Sequence, residues 1–204
     1  MANIKGLLDK YSKVENERFF QEVVIGKEYE AAINKKADIV IDVGACAGEF
    51  GAYIYEKAGI IYAIEPYSEH YQELEANISE FNLSKIKPYK LALSNYNGRG
   101  TLVIGSRGAH RLVIGEGSDK TEKVQVSTLA SFMKNVGIDH IDILKIDIEN
   151  GEGNVFTALD FKDVADKISF IIGEHLGNIM SDALRKNGFI FIDKPGGFIA
   201  ERII

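Results

Sequence analysis

Three features of this chain predict an α/β fold of the Rossmann-like type, a mostly parallel central sheet with helices on both faces. Apolar runs of strand length recur between stretches with helical spacing. One such run, Ile39-Val-Ile-Asp42-Val, feeds directly into a glycine-bearing turn, Gly44-Ala-Cys-Ala-Gly48. The next, Ile60-Ile-Tyr-Ala-Ile, ends in the carboxylate of Glu65, followed by Pro66. Strand, glycine turn, helix, strand, acid is the plan of a βαβ unit that holds a nucleoside.

The elements follow in order. In residues 4–20, Ile4, Leu7, Leu8, Tyr11, Val14 and Phe19 recur at the spacing of an amphipathic helix, and a second helical stretch covers roughly 26–36. Together, residues 1–37 form an N-terminal helical segment, ahead of a single domain over 38–204. A helix over Glu49–Lys57 stops near Gly59, and strand 60–65 ends at Pro66, which cannot donate into a ladder. Ser68 is expected to cap a helix carrying Tyr71, Leu74 and Ile78 on one face. Ile86–Leu93 read as a third strand. Thr101–Ile104, Arg111–Ile114 and Lys123–Val126 are short β-type runs between glycines, expected as a small antiparallel meander added to the core sheet. Ser127 starts a helix with Leu129, Phe132, Met133 and Val136, closed by Gly137. A fourth buried strand runs from Ile141 to Glu149, a fifth over 168–173, and a helix over 178–187. Phe189–Asp193 and Phe198–Ile204, joined by Pro195-Gly-Gly197, close the chain as a β-hairpin. Seven of these strands belong to the central sheet.

A chain of 204 residues with 46% apolar and 26% charged residues has the make-up of one globular domain. Its net charge of −6 argues against nucleic acid as a partner, because such binding runs on clustered Lys and Arg. One cysteine, Cys46, rules out an intrachain disulfide; inside the turn it is either a reactive thiol at a helix N-terminus or a small packing residue. Charges interrupt every apolar run near the start, so neither a signal peptide nor a membrane span is expected and the cytoplasm is the expected location.

The turn chemistry selects among nucleoside cofactors. A pyrophosphate needs bare backbone N–H groups and a third glycine. Here Ala45 stands between Gly44 and Gly48, and Asp42 adds a negative charge. A carboxylate repels phosphate but suits the ammonium and sulfonium of S-adenosylmethionine. Two glycines alone would do no more than permit a tight turn; Glu65, placed to accept ribose hydroxyls, makes the turn part of a site.

The chain resembles the FkbM family of S-adenosylmethionine-dependent methyltransferases in three blocks. Asp42-Val-Gly-Ala-Cys-Ala-Gly48-Glu-Phe50 is similar to the family's cofactor loop, D-V-G-A-N-x-G-x-F/Y. Ile64-Glu65-Pro66 is similar to its ribose-binding acid followed by proline. Val126-Ser-Thr-Leu129 with Ile141-Asp-Ile-Leu-Lys145-Ile-Asp147-Ile-Glu149-Asn-Gly-Glu152 is similar to V-x-T-L and I-D-x-L-K-I-D-V-E-G-x-E. Leu93-Ser94 with Gly98, and Glu174-His175 with Gly188-Phe189, extend the match over roughly residues 38–192. Cys46 stands where the family often has Asn, and Asn150 replaces the usual Gly. The resemblance implies a class I, Rossmann-like methyltransferase fold: a central, mostly parallel seven-stranded sheet with its last strand antiparallel in a C-terminal hairpin.

It also implies roles. Glu65 accepts the ribose hydroxyls, with Pro66 beside it. Asp42 and the Gly44, Ala45, Gly48 and Phe50 segment hold the methionine portion, while Ala92 and Ser94 border the adenine. Asp147 faces the methionine ammonium or the acceptor. Asp147 and Glu149, two residues apart and so on one side of an extended strand, are candidate catalytic groups. Glu152 serves either the site or a helix N-terminus. His175, at a strand end, is the candidate general base for a hydroxyl acceptor. His70 and His140 read as surface residues, and Arg107 and His110 fall in the meander. Mg²⁺ among Asp147, Glu149 and Glu174 is compatible with the residue types, but no spacing demands it. The expected reaction is O-methylation of a hydroxyl on a sugar, glycan or small metabolite; the alternatives are an RNA methyltransferase and a non-catalytic S-adenosylmethionine-binding module. A nicotinamide dehydrogenase fits least, for want of the third glycine. No membrane partner is expected, and a homo-oligomer paired through meander strands or terminal helices is compatible with the sequence.

Overall fold

A computed structural model describes residues 4–12, 29–105, 111–113, 120–149, 151–174, 177–194 and 197–202. Helix α1 (Ile4–Ser12) and the single turn α2 (Glu30–Ile33) precede strand β1 (Ala37–Val43). Then come α3 (Glu49–Ile54), β2 (Ala58–Ile64), α4 (Ser68–Glu80) and β3 (Ile86–Tyr89). Four short strands and a helix follow: β4 (Ala92–Leu93), β5 (Gly98–Val103), β6 (Arg111–Val113), β7 (Thr121–Ser127) and α5 (Leu129–Val136). The chain ends with β8 (Ile141–Ile146), α6 (Glu152–Phe156), β9 (Ile168–Gly173), α7 (Asn178–Lys186), β10 (Phe189–Lys194) and β11 (Gly197–Arg202).

The central sheet has seven strands in the order β10-β11-β9-β8-β1-β2-β3. Its five inner and β3-side strands are mutually parallel, while β11 inserts antiparallel between β9 and β10. The expected mostly parallel sheet and C-terminal hairpin are both present. β1 and β2 are buried along most of their length rather than on alternate residues, because helices cover both faces. Alternation decides the face instead. Val40, Ile61, Ala63 and Ile143 pack with Leu7, Ala32, Phe50 and Leu74 from α1–α4. Their neighbours Ile41, Tyr62, Ile64 and Leu144 pack with Phe132, Val155 and Leu184 from α5–α7.

Several local expectations are corrected. The meander does not extend the central sheet. It forms a second sheet, β4-β7-β5-β6, in which β4 pairs parallel with β7. The expected third strand therefore breaks after Tyr89, and its last two residues pair with β7 in the second sheet. The helix after the glycine turn ends at Ile54, short of the expected Lys57, and Gly59 belongs to β2, where a Cβ would meet the Asp38 carbonyl oxygen at 2.7 Å. Ser68 is the first residue of α4, with Tyr67 before it, and its hydroxyl bonds Glu122 instead of capping. Thr128, not Ser127, caps α5: its Oγ1 accepts the Ser131 N–H at 3.2 Å and donates to Asp160 at 2.6 Å. Gly137 ends that helix at φ 75°, as expected. Residues 13–20 of the expected first helix lie outside the described residues. Among the described residues no helix is long and apolar enough to cross a membrane.

Thr128 ties a helix start to the loop before β9, so Thr128→Val removes a cap and a link together. A loss of about 1–2 kcal/mol is expected in urea unfolding, with no change in slope.

Candidate active site

The carboxyl ends of β1, β2, β4 and β8 surround a cavity of about 260 Å³. Open α/β sheets bind ligands at this edge because successive strands there turn into helices on either face and leave a crevice. Gly44 and Cys46 line it from the turn, Glu65, Pro66 and His70 from the end of β2 and the start of α4, and Ala92 and Ser94 from β4 and its end. Asp147, Glu149 and Asn154 line it from the end of β8 and from α6, and Leu102 and Leu112 reach it from the second sheet.

The turn is built under steric constraint. Gly44 has φ +76°, and a Cβ there would lie 1.9 Å from the Asp147 carbonyl oxygen, so β1 and the end of β8 touch backbone to backbone. Cys46 also takes a left-handed φ, 47°, which asparagine tolerates better than cysteine. Its N–H offsets that strain by donating to Glu65 Oε2 at 3.0 Å. The Gly44 and Ala45 N–H groups both donate to the Ile64 carbonyl, and the Gly48 N–H donates to the Ala45 carbonyl. These four donors are consumed inside the protein, which withholds them from a pyrophosphate.

Beneath the turn lies a buried charge pair. Asp42 and Lys145 are direct partners in the β1–β8 ladder, so their side chains leave the same face of the sheet. The Lys145 ammonium is 3.2 Å from Asp42 Oδ1 and 4.0 Å from Asp147 Oδ2, and it donates to the Gly44 carbonyl at 2.8 Å. Burial pulls Lys145 down, but the Asp42 and Asp147 carboxylates outweigh it and keep the ammonium above the ordinary lysine range. Burial pushes the Asp42 carboxyl up, and Lys145 pulls it back. Tyr29 closes the cluster, its hydroxyl donating to Asp147 at 3.1 Å while its ring meets Phe50 edge-on.

Glu65 is the second organised acid. Its Oε1 accepts the Tyr67 N–H at 2.8 Å and its Oε2 the Cys46 N–H. Burial pushes its carboxyl up to about 7, although both N–H groups and Lys145 favour the charged form. The same burial, with Glu49 and Glu65 nearby, pushes the Cys46 thiol well up, which leaves a packing residue and not a reactive one.

Of the residues picked from sequence, Gly44, Glu65, Pro66, Ala92, Ser94, Asp147 and Glu149 line one cavity. Asp42, Ala45, Gly48 and Phe50 do not; they form the floor and its packing, with Asp42 fully buried. Glu149 is not on an extended strand: β8 ends at Ile146 and Glu149 adopts φ 55°. Glu152 starts α6 and turns back to accept the Ile148 N–H at 2.8 Å. His175 lies outside the described residues, as do Arg107, His110 and Asn150. Among the described residues no cluster of His, Cys, Asp and Glu could hold a metal ion. His70, expected from sequence at the surface, is instead mostly buried and lines the cavity, and Tyr29 and Lys145 join the site without having been picked from sequence. Lys145 was legible as the one cation of β8, set between Leu144 and Ile146, whereas nothing near Tyr29 or His70 marks them.

The sheet order, with a glycine turn after the first strand and an acid after the second, defines a class I methyltransferase fold. The methyltransferase FkbM domain matches residues 42–191, and the chain belongs to that family of methyltransferases. It is 24% identical to Methyltransferase 1 of Beauveria bassiana, over 90% of this chain and 85% of that protein. It is 23% identical to AMB antimetabolite synthetase AmbE of Pseudomonas aeruginosa over 86% of this chain, which spans only 11% of that protein. The crystal structure of methyltransferase FkbM from Methylobacillus flagellatus superposes with a TM-score of 0.56 at 13% identity, covering 82% of this chain and 44% of that one.

Lys145→Met should destabilise the protein by about 3–5 kcal/mol in denaturant unfolding, because Asp42 is left buried without its partner and must either stay charged or take up a proton. Adding Asp42→Asn should recover part of that loss. A double variant no more stable than Lys145→Met would show that the pair is not the source.

Proposed function

We propose that the chain uses S-adenosylmethionine to methylate a hydroxyl of a sugar, glycan or small metabolite. The observation that carries this reading is Glu65: a carboxylate in the cavity wall, fixed by one backbone N–H on each oxygen, beside a turn with its N–H groups already engaged. Such a carboxylate suits the two hydroxyls of a ribose, and such a turn suits a cationic cofactor better than an anionic one.

Bound S-adenosylmethionine supplies an electrophilic methyl carbon on a sulfonium leaving group. The protein's share is alignment, water exclusion and control of a proton. Glu65 and Pro66 would hold the ribose, with Ala92 and Ser94 beside the adenine. The ammonium end would lie toward Asp147, whose orientation is fixed by Tyr29 and Lys145. Asp147 and Glu149 are the cavity-lining carboxylates within reach of an acceptor hydroxyl, and either can take its proton as the oxygen attacks. Asn154 and the Gly151 backbone border the same end of the cavity and suit a polar acceptor. Leu102 and Leu112 border the cavity from the second sheet, so that sheet contributes to ligand choice.

Calorimetric titration with S-adenosylmethionine should show one-to-one binding. At one hundred times the dissociation constant, a gain of about 2.7 kcal/mol should raise the melting temperature by roughly 5–10 °C. Glu65→Ala should weaken binding about a hundredfold or more. Asp147→Asn should weaken cofactor binding at the ammonium end, and adding Glu149→Gln should lower the maximal rate of methyl transfer to a hydroxyl acceptor by about a hundredfold. No binding of S-adenosylmethionine or its demethylated product would overturn the proposal, and label arriving only on nitrogen or carbon would overturn its acceptor class.

A further inference from the structure

His70 follows Glu65 in the first turn of α4, and its imidazole lines the cavity. Its ring meets Tyr67 edge-on, with centroids 5.0 Å apart at 81°, and its Nδ1 lies 4.0 Å from Glu65 Oε1. The side chain is only 21% exposed. Among the described residues, the charged groups seen to act on it are acidic: Glu65 from the end of β2, and Glu69 and Glu73 from its own helix. Lys120, just before β7, pairs with Glu69 at 3.5 Å, and Lys145 and Asp42 act on Glu65 from beneath the turn.

Resting on the reading of Glu65 as the ribose ligand, we propose that His70 is a positioning residue for cofactor binding. It takes up the proton that Glu65 gives up when ribose hydroxyls engage the carboxylate, and as imidazolium it holds that carboxylate in place.

Each Glu65 oxygen already accepts one backbone N–H, so two ribose hydroxyls need both remaining acceptor sites. A protonated carboxyl has one of those sites filled by its own hydrogen. Near neutrality the free protein holds that proton on Glu65 much of the time, while burial keeps His70 neutral. Binding therefore has to move a proton, and Nδ1 of the Nε2–H tautomer is an adjacent acceptor. The O–H bond at Glu65 breaks and an N–H bond forms at His70, converting a neutral pair into a carboxylate and an imidazolium with no change in net charge. An approach of about 1 Å brings the two into hydrogen-bonding distance. The resulting cation also faces Glu69 and Glu73, which favour it. Below about pH 7, where the free protein carries the proton on Glu65, it stays within the pair and cofactor binding exchanges almost none with solvent.

The test is calorimetric titration with S-adenosylhomocysteine at pH 6–8.5, in two buffers of different ionisation enthalpy, for the full chain and His70→Gln. The unaltered protein should show close to no proton exchange and a nearly flat affinity below about pH 7, where Glu65 carries the proton in the free state. His70→Gln should match it at pH 8.5. Below the Glu65 value of about 7 it should release up to one proton and lose affinity by about tenfold per pH unit. Equal proton counts in the two proteins would overturn the proposal. As a check that does not depend on the variant, the His70 ring signals in the unaltered protein should report protonation at pH 7 only when S-adenosylhomocysteine is bound. A ring that stays neutral on binding also overturns the role of His70. Failure of the unaltered protein to bind at any pH overturns instead the cofactor reading on which it rests.

Discussion

The site stands on one buried interaction, the ion pair between Asp42 on β1 and Lys145 on β8. Two charges below the surface are costly unless each finds the other and further polar partners. Here the ladder register sets them side by side, and the ammonium also bonds the Gly44 carbonyl and stands near Asp147. Lys145 thus links three things that the cavity needs: the acid under the turn, the backbone of the turn and the acid at its rim. Tyr29 completes the arrangement from the N-terminal side, which makes that segment part of the site's support.

Glu65 shows a different balance. Burial works against its charge, while two backbone N–H groups work for it, and the outcome lies near neutrality. A carboxylate poised in this way is cheap to ionise when a ligand offers further donors. One of the two donors is the Cys46 N–H, so the turn and the acid form a single unit. The contribution of Cys46 visible here comes from its backbone, and the buried side chain packs.

Much of the fold was legible because a buried parallel strand is a continuous apolar run and helices between such runs have their own period. The seven strands, the hairpin and the Gly137 stop follow from local chemistry. What misled was pairing. Ala92 and Leu93 continue the β3 run in sequence, yet they pair with Val126 and Ser127 in another sheet, a choice made by long-range hydrogen bonds. Ser68 and Ser127 have capping side chains, but Glu122 claims the first and β7 the second, which leaves Thr128 to cap.

The chemical groups of the cleft, Gly44, Glu65, Ser94, Asp147 and Glu149, were fixed by sequence, because each sits at a strand end where the fold class leaves a crevice. Tertiary structure decided how they are divided between cavity and floor. Asp42 points down because strand alternation sends it into a helix-covered face, Phe50 packs there from α3, and Tyr29 and His70 enter the site from segments whose local pattern carries no mark of it. Local sequence specifies which groups can do the chemistry; register and packing between distant segments specify which of them meet.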